Sequence, residues 1–264
     1  MDLFMSNDIQ PSNSDVLISV CMATYNGERF IKQQICSILE QLGDNDELII
    51  VDDCSKDSTV SIIESVSDSR IKLNLNSINK GVNLTFEKAI SLSSGKYIFL
   101  SDQDDIWVED RVKLMLGALN DSKGLLVSTN FTLIDVEGTM TALQQPYQLT
   151  SSSSTTYIRN ILNIFLGRIS YYGCAMAFKR ELVQYILPMP KVIESHDLWI
   201  AIVANCLGSN LHMENSLLLH RIHGSNASVV SRDFSEKVLS RVIFLINCFN
   251  IASRVVFTSM RGLK

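Results

Sequence analysis

Four short apolar runs, spaced by stretches of helical pattern, constrain this chain more than anything else in it. Val16–Cys21, Glu47–Val51, Ile71–Leu75 and Lys96–Leu100 are too short for buried helices. Val16–Cys21, Glu47–Val51 and Lys96–Leu100 are mostly continuous apolar residues, the pattern of strands covered on both faces, and Ile71–Leu75 is a shorter strand. Between them lie three helical patterns. The first runs from Glu28 to about Gln41, with Phe30, Ile31, Ile35, Ile38, Leu39 and Leu42 on one face. The second is capped by Asp57 or Ser58 and carries Val60, Ile62, Ile63 and Val66. The third, Leu84 to Leu92, stops at Ser93-Ser94-Gly95. Strand and helix in strict alternation predict an α/β fold with a mostly parallel central sheet and crossover helices.

Such sheets bind ligands beyond the carboxyl ends of their strands. Three of the four runs end in polar clusters: Ala23-Thr24-Tyr25-Asn26-Gly27-Glu28, Asp52-Asp53-Cys54-Ser55, and Ser101-Asp102-Gln103-Asp104-Asp105. The last packs three carboxylates into four residues, and carboxylates so crowded repel one another. An Asp-x-Asp turn lets two carboxylates converge on one ion. Oxygen ligands suit a hard divalent cation, Mg²⁺ or Mn²⁺, which keeps open positions for phosphate. The plainer alternative is a solvated turn capping a helix that starts near Glu109. Three polar clusters on one sheet edge favour the binding site.

The second half is less regular. Gly124–Ile134 suggests a strand, and Glu137–Thr156 a mobile polar loop or lid. Tyr157–Leu166 has helical spacing, Gly173–Phe178 is strand-like, and Arg180–Leu187 is a short helix stopped by Pro188 and Pro190. Ser195-His196-Asp197 opens a helix to about Leu207, with Ser195 or Asp197 as its simplest cap. Asn210–Met213 and Ser216–Arg221 look like two short strands. They lead into His220-Arg221-Ile222-His223-Gly224-Ser225-Asn226. Residues 234–260 form an amphipathic helix or helix pair, interrupted too often by polar residues for a transmembrane span. This helix either covers the core or lies on a membrane surface. Trp107 and Trp199 follow acidic clusters closely, where either can stack on a sugar or fill the core.

The net charge of −5 argues against broad nucleic-acid binding. Six cysteines without a C-x-x-C pair read as reduced, mostly buried thiols, consistent with a cytoplasmic location. Residues 1–15 are polar and expected to be flexible.

Val20-Cys-Met-Ala-Thr-Tyr-Asn26, Ile50-Val-Asp-Asp-Cys-Ser55, Asp102-Gln-Asp104 and His196-Asp197 stand in an order that resembles the family 2 glycosyltransferases. The resemblance spans roughly Ile18 to Ser228. The terminal His220–Asn226 stretch resembles a bacterial rhamnosyltransferase-like branch that builds surface polysaccharides. It implies a Rossmann-like nucleotide-diphosphosugar transferase fold of the GT-A type across residues 16–230. A nucleotide-binding half would span about 16–136, an acceptor half about 157–230, and a helical segment would follow at 231–264. The implied reaction is inverting transfer from a UDP- or dTDP-sugar to the hydroxyl of a saccharide or lipid-linked saccharide, with peripheral membrane contact through 234–260. Ala23, Thr24 and Tyr25 would border base and ribose. Asp53, with Asp52 beside it, would accept from a base imide N–H. Lys80 would lie near base or phosphates, and Arg221 or His223 would add positive charge near the diphosphate. Asp102 and Asp104 would serve the metal, and Asp197 would be the general base. The family often has Glu-Asp where this chain has His196-Asp197. Two other classes compete. One is a non-catalytic nucleotide-sugar-binding protein of the same fold. The other, a nucleotidyltransferase, would want a Gly-rich basic loop after the first strand, and Ala23–Glu28 is neither.

Overall fold

The computed structural model describes residues 17–223 and 234–261. The expected flexible N-terminus and Gly224-Ser225-Asn226 fall outside the described residues. One eight-stranded sheet runs through both halves of the chain, in the order β3-β2-β1-β4-β7-β6-β8-β5. Its first four strands are parallel: β1 Ile18–Thr24, β2 Glu47–Asp52, β3 Ile71–Leu75 and β4 Tyr97–Ser101. They are joined by α1 (Ile31–Leu39), α2 (Thr59–Ser65) and α3 (Val82–Leu92). β1, β2 and β4 are mostly apolar because both faces are covered, and their side chains alternate between two cores, whereas the edge strand β3 is only partly buried. Cys21, Ile49, Val51, Ile98 and Leu100 point one way, into a cluster with Phe86, Ile90 and Trp199. Val20, Met22, Leu48, Ile50 and Phe99 point the other way, against Ile31, Ile35, Ile38 and Met115.

The remaining strands extend the sheet. β5 (Ile106–Trp107) is a two-residue strand that pairs antiparallel with β8 (Asn210–Arg221) at the far edge. α4 (Arg111–Asn120) follows it, so β5 separates the acidic turn from the helix it was alternatively expected to cap. β6 (Leu126–Ile134) pairs with β7 (Met176–Lys179) on one side and β8 on the other. β8 is a single strand where two were expected. Its polar middle is absorbed by register shifts opposite Thr129, Asn130 and Thr132. The 137–156 stretch is pinned rather than free. Asn130 both donates to and accepts from Leu149, and Gln145 accepts from the Phe131 N–H. α5 (Tyr157–Phe165) and the short α6 (Val183–Ile186) precede α7 (His196–Cys206), and α8 (Phe234–Arg261) is one long helix rather than a pair.

Both tryptophans belong to the core, and Trp199 donates its indole N–H to the Ile186 carbonyl. Only Cys21 and Cys174 of the six free thiols are buried; Cys36 and Cys206 are exposed. The expectation of mostly buried thiols is corrected accordingly. Cys36 and Cys206 each sit on the outward side of a helix otherwise anchored by branched apolar residues.

Candidate active site

The loops after β1 and β2 are laced together on the carboxyl edge of the sheet. Asn26 adopts φ +48 and Cys54 φ +69, left-handed conformations that non-glycine residues take at a cost. In that shape the Asn26 N–H donates to Ser55 Oγ, and Asn26 Oδ1 accepts from the Lys56 N–H. The Gly27 N–H donates to Thr59 Oγ1 at 2.7 Å, and the Glu28 N–H to Asp57. Tyr25 is half exposed, its backbone strapped to Gln103 by two hydrogen bonds of 2.9 and 3.1 Å. That strap joins the first loop to the acidic turn. Ala23 is partly buried and Thr24 buried, the latter donating to Asp52 Oδ2 at 3.0 Å.

Asp52 also accepts from Ser55 N–H and Oγ. Asp53 is buried and accepts from Asn76 Nδ2, Lys80 N–H and Gly81 N–H at 2.8–2.9 Å. Burial pushes its carboxyl up, but those donors together outweigh it and hold the group below the usual carboxylate range. Gly81 sits at φ +85, which only glycine takes without strain, and this lets its N–H meet Asp53. A nucleobase N–H would therefore share an oxygen already accepting from this loop. Lys80 reaches Asp53 through its backbone.

The acidic turn divides into an outer and an inner part. Asp102 is partly exposed; loss of hydration and then the charges of Asp105 and Asp104 push it up to about 8. Asp104 is buried and its Oδ2 lies 2.8 Å from His223 Nε2. Burial and Asp105 raise its carboxyl, with His223 opposing. Asp105 is wholly interior. Its Oδ1 accepts from His220 Nδ1 at 2.8 Å and from the Arg221 N–H at 3.1 Å, while its buried Oδ2 has no hydrogen-bond partner among the described residues. Burial alone would lower His220, yet the Asp105 charge and hydrogen bond hold it up at about 9.

Arg221 does not offer its charge to an open cleft. The guanidinium is buried: Nε donates to the Asp104 carbonyl, Nη1 to the carbonyls of Asp135 and Val136, and Nη2 to Gln33, with the plane over Phe30 at 4.6 Å. It braces the acidic turn from beneath. The sequence predicted charge near a diphosphate; a strand-terminal arginine meeting three backbone carbonyls is drawn inward instead.

Asp197 stands in the first turn of α7. Oδ1 accepts from its own helix at the Leu198 N–H and from Ser195 Oγ; Oδ2 accepts from the Gly173 N–H at 3.2 Å. Gly173 allows a close approach, because a Cβ there would fall 2.7 Å from His196 Nε2. The neighbouring Cys174 Sγ lies 3.9 Å from His220 Nδ1, so a chain of contacts runs from Asp197 through 173–174 to the Asp105–His220 pair. His196 is buried, stacked on Phe86 at 4.0 Å, and burial lowers its pKa, so it packs as a neutral ring.

Asp105, Cys174 and His220 bring their ligand atoms within 4.8 Å of one another. Burial and the charges of Asp105 and Asp102 push the Cys174 thiol far up, which leaves a neutral thiol beside an ion pair. The outer set of Asp102 and Asp104 offers oxygen donors and crowded negative charge, the chemistry a hard divalent cation satisfies.

A family model, "Glycosyl transferase family 2", matches residues 19–187, which carry the whole parallel half of the sheet and the acidic turn. This chain is a family 2 glycosyltransferase. Among its relatives is the Escherichia coli UDP-Glc:alpha-D-GlcNAc-diphosphoundecaprenol beta-1,3-glucosyltransferase WfgD, 26% identical over 88% of this chain and 92% of that protein. The Shigella flexneri dTDP-rhamnosyl transferase RfbG is 39% identical over 41% of this chain and 40% of its own. The S. aureus TarS 1-349 structure in complex with UDP-GlcNAc has the same GT-A fold, with TM-score 0.67 and 17% identity, covering 90% of this chain and 69% of that one. This likeness carries the fold alone. The relatives are bacterial glycosyltransferases, and one, from Bacillus subtilis, is named a putative teichuronic acid biosynthesis glycosyltransferase, TuaG.

In this family member, sequence reasoning missed Asp105, His220, Gln103 and Gly173. The only signal for the first two was numerical: adjacent aspartates at 104–105 and histidines at 220 and 223, which pair off in space as Asp105–His220 and Asp104–His223.

Proposed function

We propose that this glycosyltransferase moves a sugar, with inversion, from a UDP- or dTDP-sugar to a hydroxyl of a lipid-linked saccharide during bacterial surface polysaccharide assembly, at the cytoplasmic face of the membrane. The observation that carries this is the acidic turn at the carboxyl end of β4, where Asp102 feels the charges of Asp104 and Asp197, on the same sheet edge as Asp53 at the end of β2. The names of WfgD and RfbG support both the donor nucleotides and the lipid-linked acceptor.

In this reading Ala23, Thr24 and Tyr25 border base and ribose, and Asp53 and Lys80 set the loop against the base. Asp102 and Asp104, with His223 beside Asp104, would hold a Mg²⁺ or Mn²⁺, which when bound would supply Lewis-acid charge to the donor diphosphate. Arg221 fixes the turn that carries those aspartates. Asp197 removes the acceptor proton as its oxygen attacks the anomeric carbon from the face opposite the diphosphate, so a single base serves a single displacement. The Gly173 N–H and Ser195 hydroxyl orient that carboxylate. The intact acidic turn and Asp197 disfavour a binding protein without activity.

A donor screen tests the reading. Purified protein is scored by thermal shift against nucleotide sugars with Mn²⁺, with Mg²⁺ and with chelator. The expected result is stabilisation by a UDP- or dTDP-sugar only with metal, lost in Asp104→Ala. Equal stabilisation without metal, or in the variant, would remove the role given to Asp104.

A further inference from the structure

An open polar cavity of about 520 Å³ is walled by the 146–156 segment and by α5 with the turn after it. Two exposed arginines, Arg159 and Arg168, line it together with Thr150, Ser152, Ser153 and Asn163. Among the described residues, neither guanidinium meets a protein acceptor, whereas Arg221, Arg111 and Arg254 are all tied to backbone carbonyls. Two unengaged cations among hydroxyl and amide donors make a site for a doubly charged anion carrying sugar hydroxyls. The cavity connects to the base through packed groups. Ser153 Oγ bonds His212 Nδ1, His212 Nε2 bonds the Tyr171 hydroxyl, and Tyr171 is two residues from Gly173, whose N–H holds Asp197.

The same helix carries an unusual outer face. Ile158, Leu162 and Leu166 recur at a spacing of four residues and are exposed, Ile158 at 78%. On the helical wheel this strip falls between the cavity side, Arg159 and Asn163, and the side where Phe165 meets Phe244 and Arg241 of α8. α8 in turn buries Phe244, Asn247 and Ile251 and turns the opposite stripe outward: Val238, Leu239, Val242, Leu245, Ile246 and Phe249, the last 77% exposed. Against the sequence expectation of too many polar interruptions, its Ser235–Val255 stretch is by length and composition apolar enough to cross a membrane, yet one side is packed on the protein. An apolar face next to a cationic, hydroxyl-rich cavity matches a lipid whose headgroup is an anion bearing a sugar.

We propose that this cavity receives the diphosphate of a membrane-anchored, lipid-linked acceptor, with Arg159 and Arg168 as its cationic ligands, while the outer faces of α5 and α8 rest on the bilayer that carries the lipid. This rests on the glycosyl-transfer reading above and adds the place and chemistry of acceptor recognition.

The test is co-flotation of the full chain with phosphatidylcholine vesicles, plain or doped with a polyprenyl diphosphate. Metal-dependent thermal shift by a UDP- or dTDP-sugar serves as an independent check of fold and donor site. Wild type binds plain vesicles and binds doped ones more tightly. Leu245→Glu/Phe249→Glu loses at least about tenfold on both vesicle types. Arg159→Gln and Arg168→Gln keep plain-vesicle binding and each lose about fivefold of the gain from the diphosphate lipid. The donor shift is unchanged in all variants. Four results overturn the proposal: no flotation of wild type, flotation of the glutamate variant equal to wild type, saturation by inorganic diphosphate with no preference for doped vesicles, or a soluble dimer that the glutamate variant splits. If wild type shows the donor shift but no flotation, this inference fails alone; if the donor shift is absent, the donor reading fails.

Discussion

Substitution of Asp105 by asparagine removes one charge from the buried Asp105–His220 pair and keeps the shape. The Asp105 side chain is fully buried and that of His220 13% exposed, at 2.8 Å, so water screens the pair little. Breaking such a pair by removing one partner costs about 3–5 kcal/mol. His220 softens the loss by giving up its proton, since burial is the largest influence on it once Asp105 is gone. We expect about 3 kcal/mol, which for a domain of this size lowers Tm by roughly 6–12 °C. The pH dependence follows in sign. A histidine raised from 6.5 to about 9 stabilises fully below pH 6.5 and loses that contribution as pH climbs through about 9. Asp102, raised from 3.8 to about 8, acts in the same sense, so chelator-treated wild type weakens from neutral to alkaline pH. The assay is urea unfolding of chelator-treated protein from pH 6 to 10, with the His220 ring followed by NMR. In Asp105→Asn the His220 titration falls below its ordinary value and the alkaline weakening shrinks. The double variant with His220→Gln costs about 2 kcal/mol less than the sum of the singles. A loss under about 1 kcal/mol, with additive singles and unmoved titration, would refute the ion-pair account.

Arg221→Lys keeps the charge but cannot fork to the Asp104, Asp135 and Val136 carbonyls; calorimetry should show about 2–4 kcal/mol lost stability together with weaker metal-dependent donor binding. Gly173→Ala drives a Cβ toward His196 Nε2 and shifts the backbone donor to Asp197, so steady-state kinetics should show kcat down at least about tenfold with donor Kd unchanged. His212 is lowered from 6.5 to about 4 by burial, so its contribution is present above pH 6.5 and lost as pH falls through about 4. Acid unfolding of His212→Gln should accordingly lack part of the wild-type slope.

The parallel half of the fold was legible because short strand-like runs alternating with helical patterns leave few alternatives, and β2, β3 and β4 begin or end within a residue of expectation. β5 was not legible, since two residues carry no periodicity; Ile106 and Trp107 become a strand only because β8 lies beside them. The polar Glu214-Asn215 separates two expected strands, while β6 accommodates it within one strand by slipping register. Within the site, the spacing of Asp102 and Asp104 advertises itself, but the choice of Asp105 as the inward carboxylate depends on a histidine 115 positions away. Arg221 at a strand end resembles a surface cation. Its burial follows from three carbonyls presented by segments that sequence spacing does not bring together.

Asp197→Asn tests the central claim most directly, with donor binding measured by titration calorimetry in Mn²⁺ and transfer measured by product formation on the same preparation. The account predicts donor Kd within about twofold of wild type and turnover reduced by about 10²–10⁴-fold. Turnover near wild type, or donor binding lost together with transfer, would contradict it.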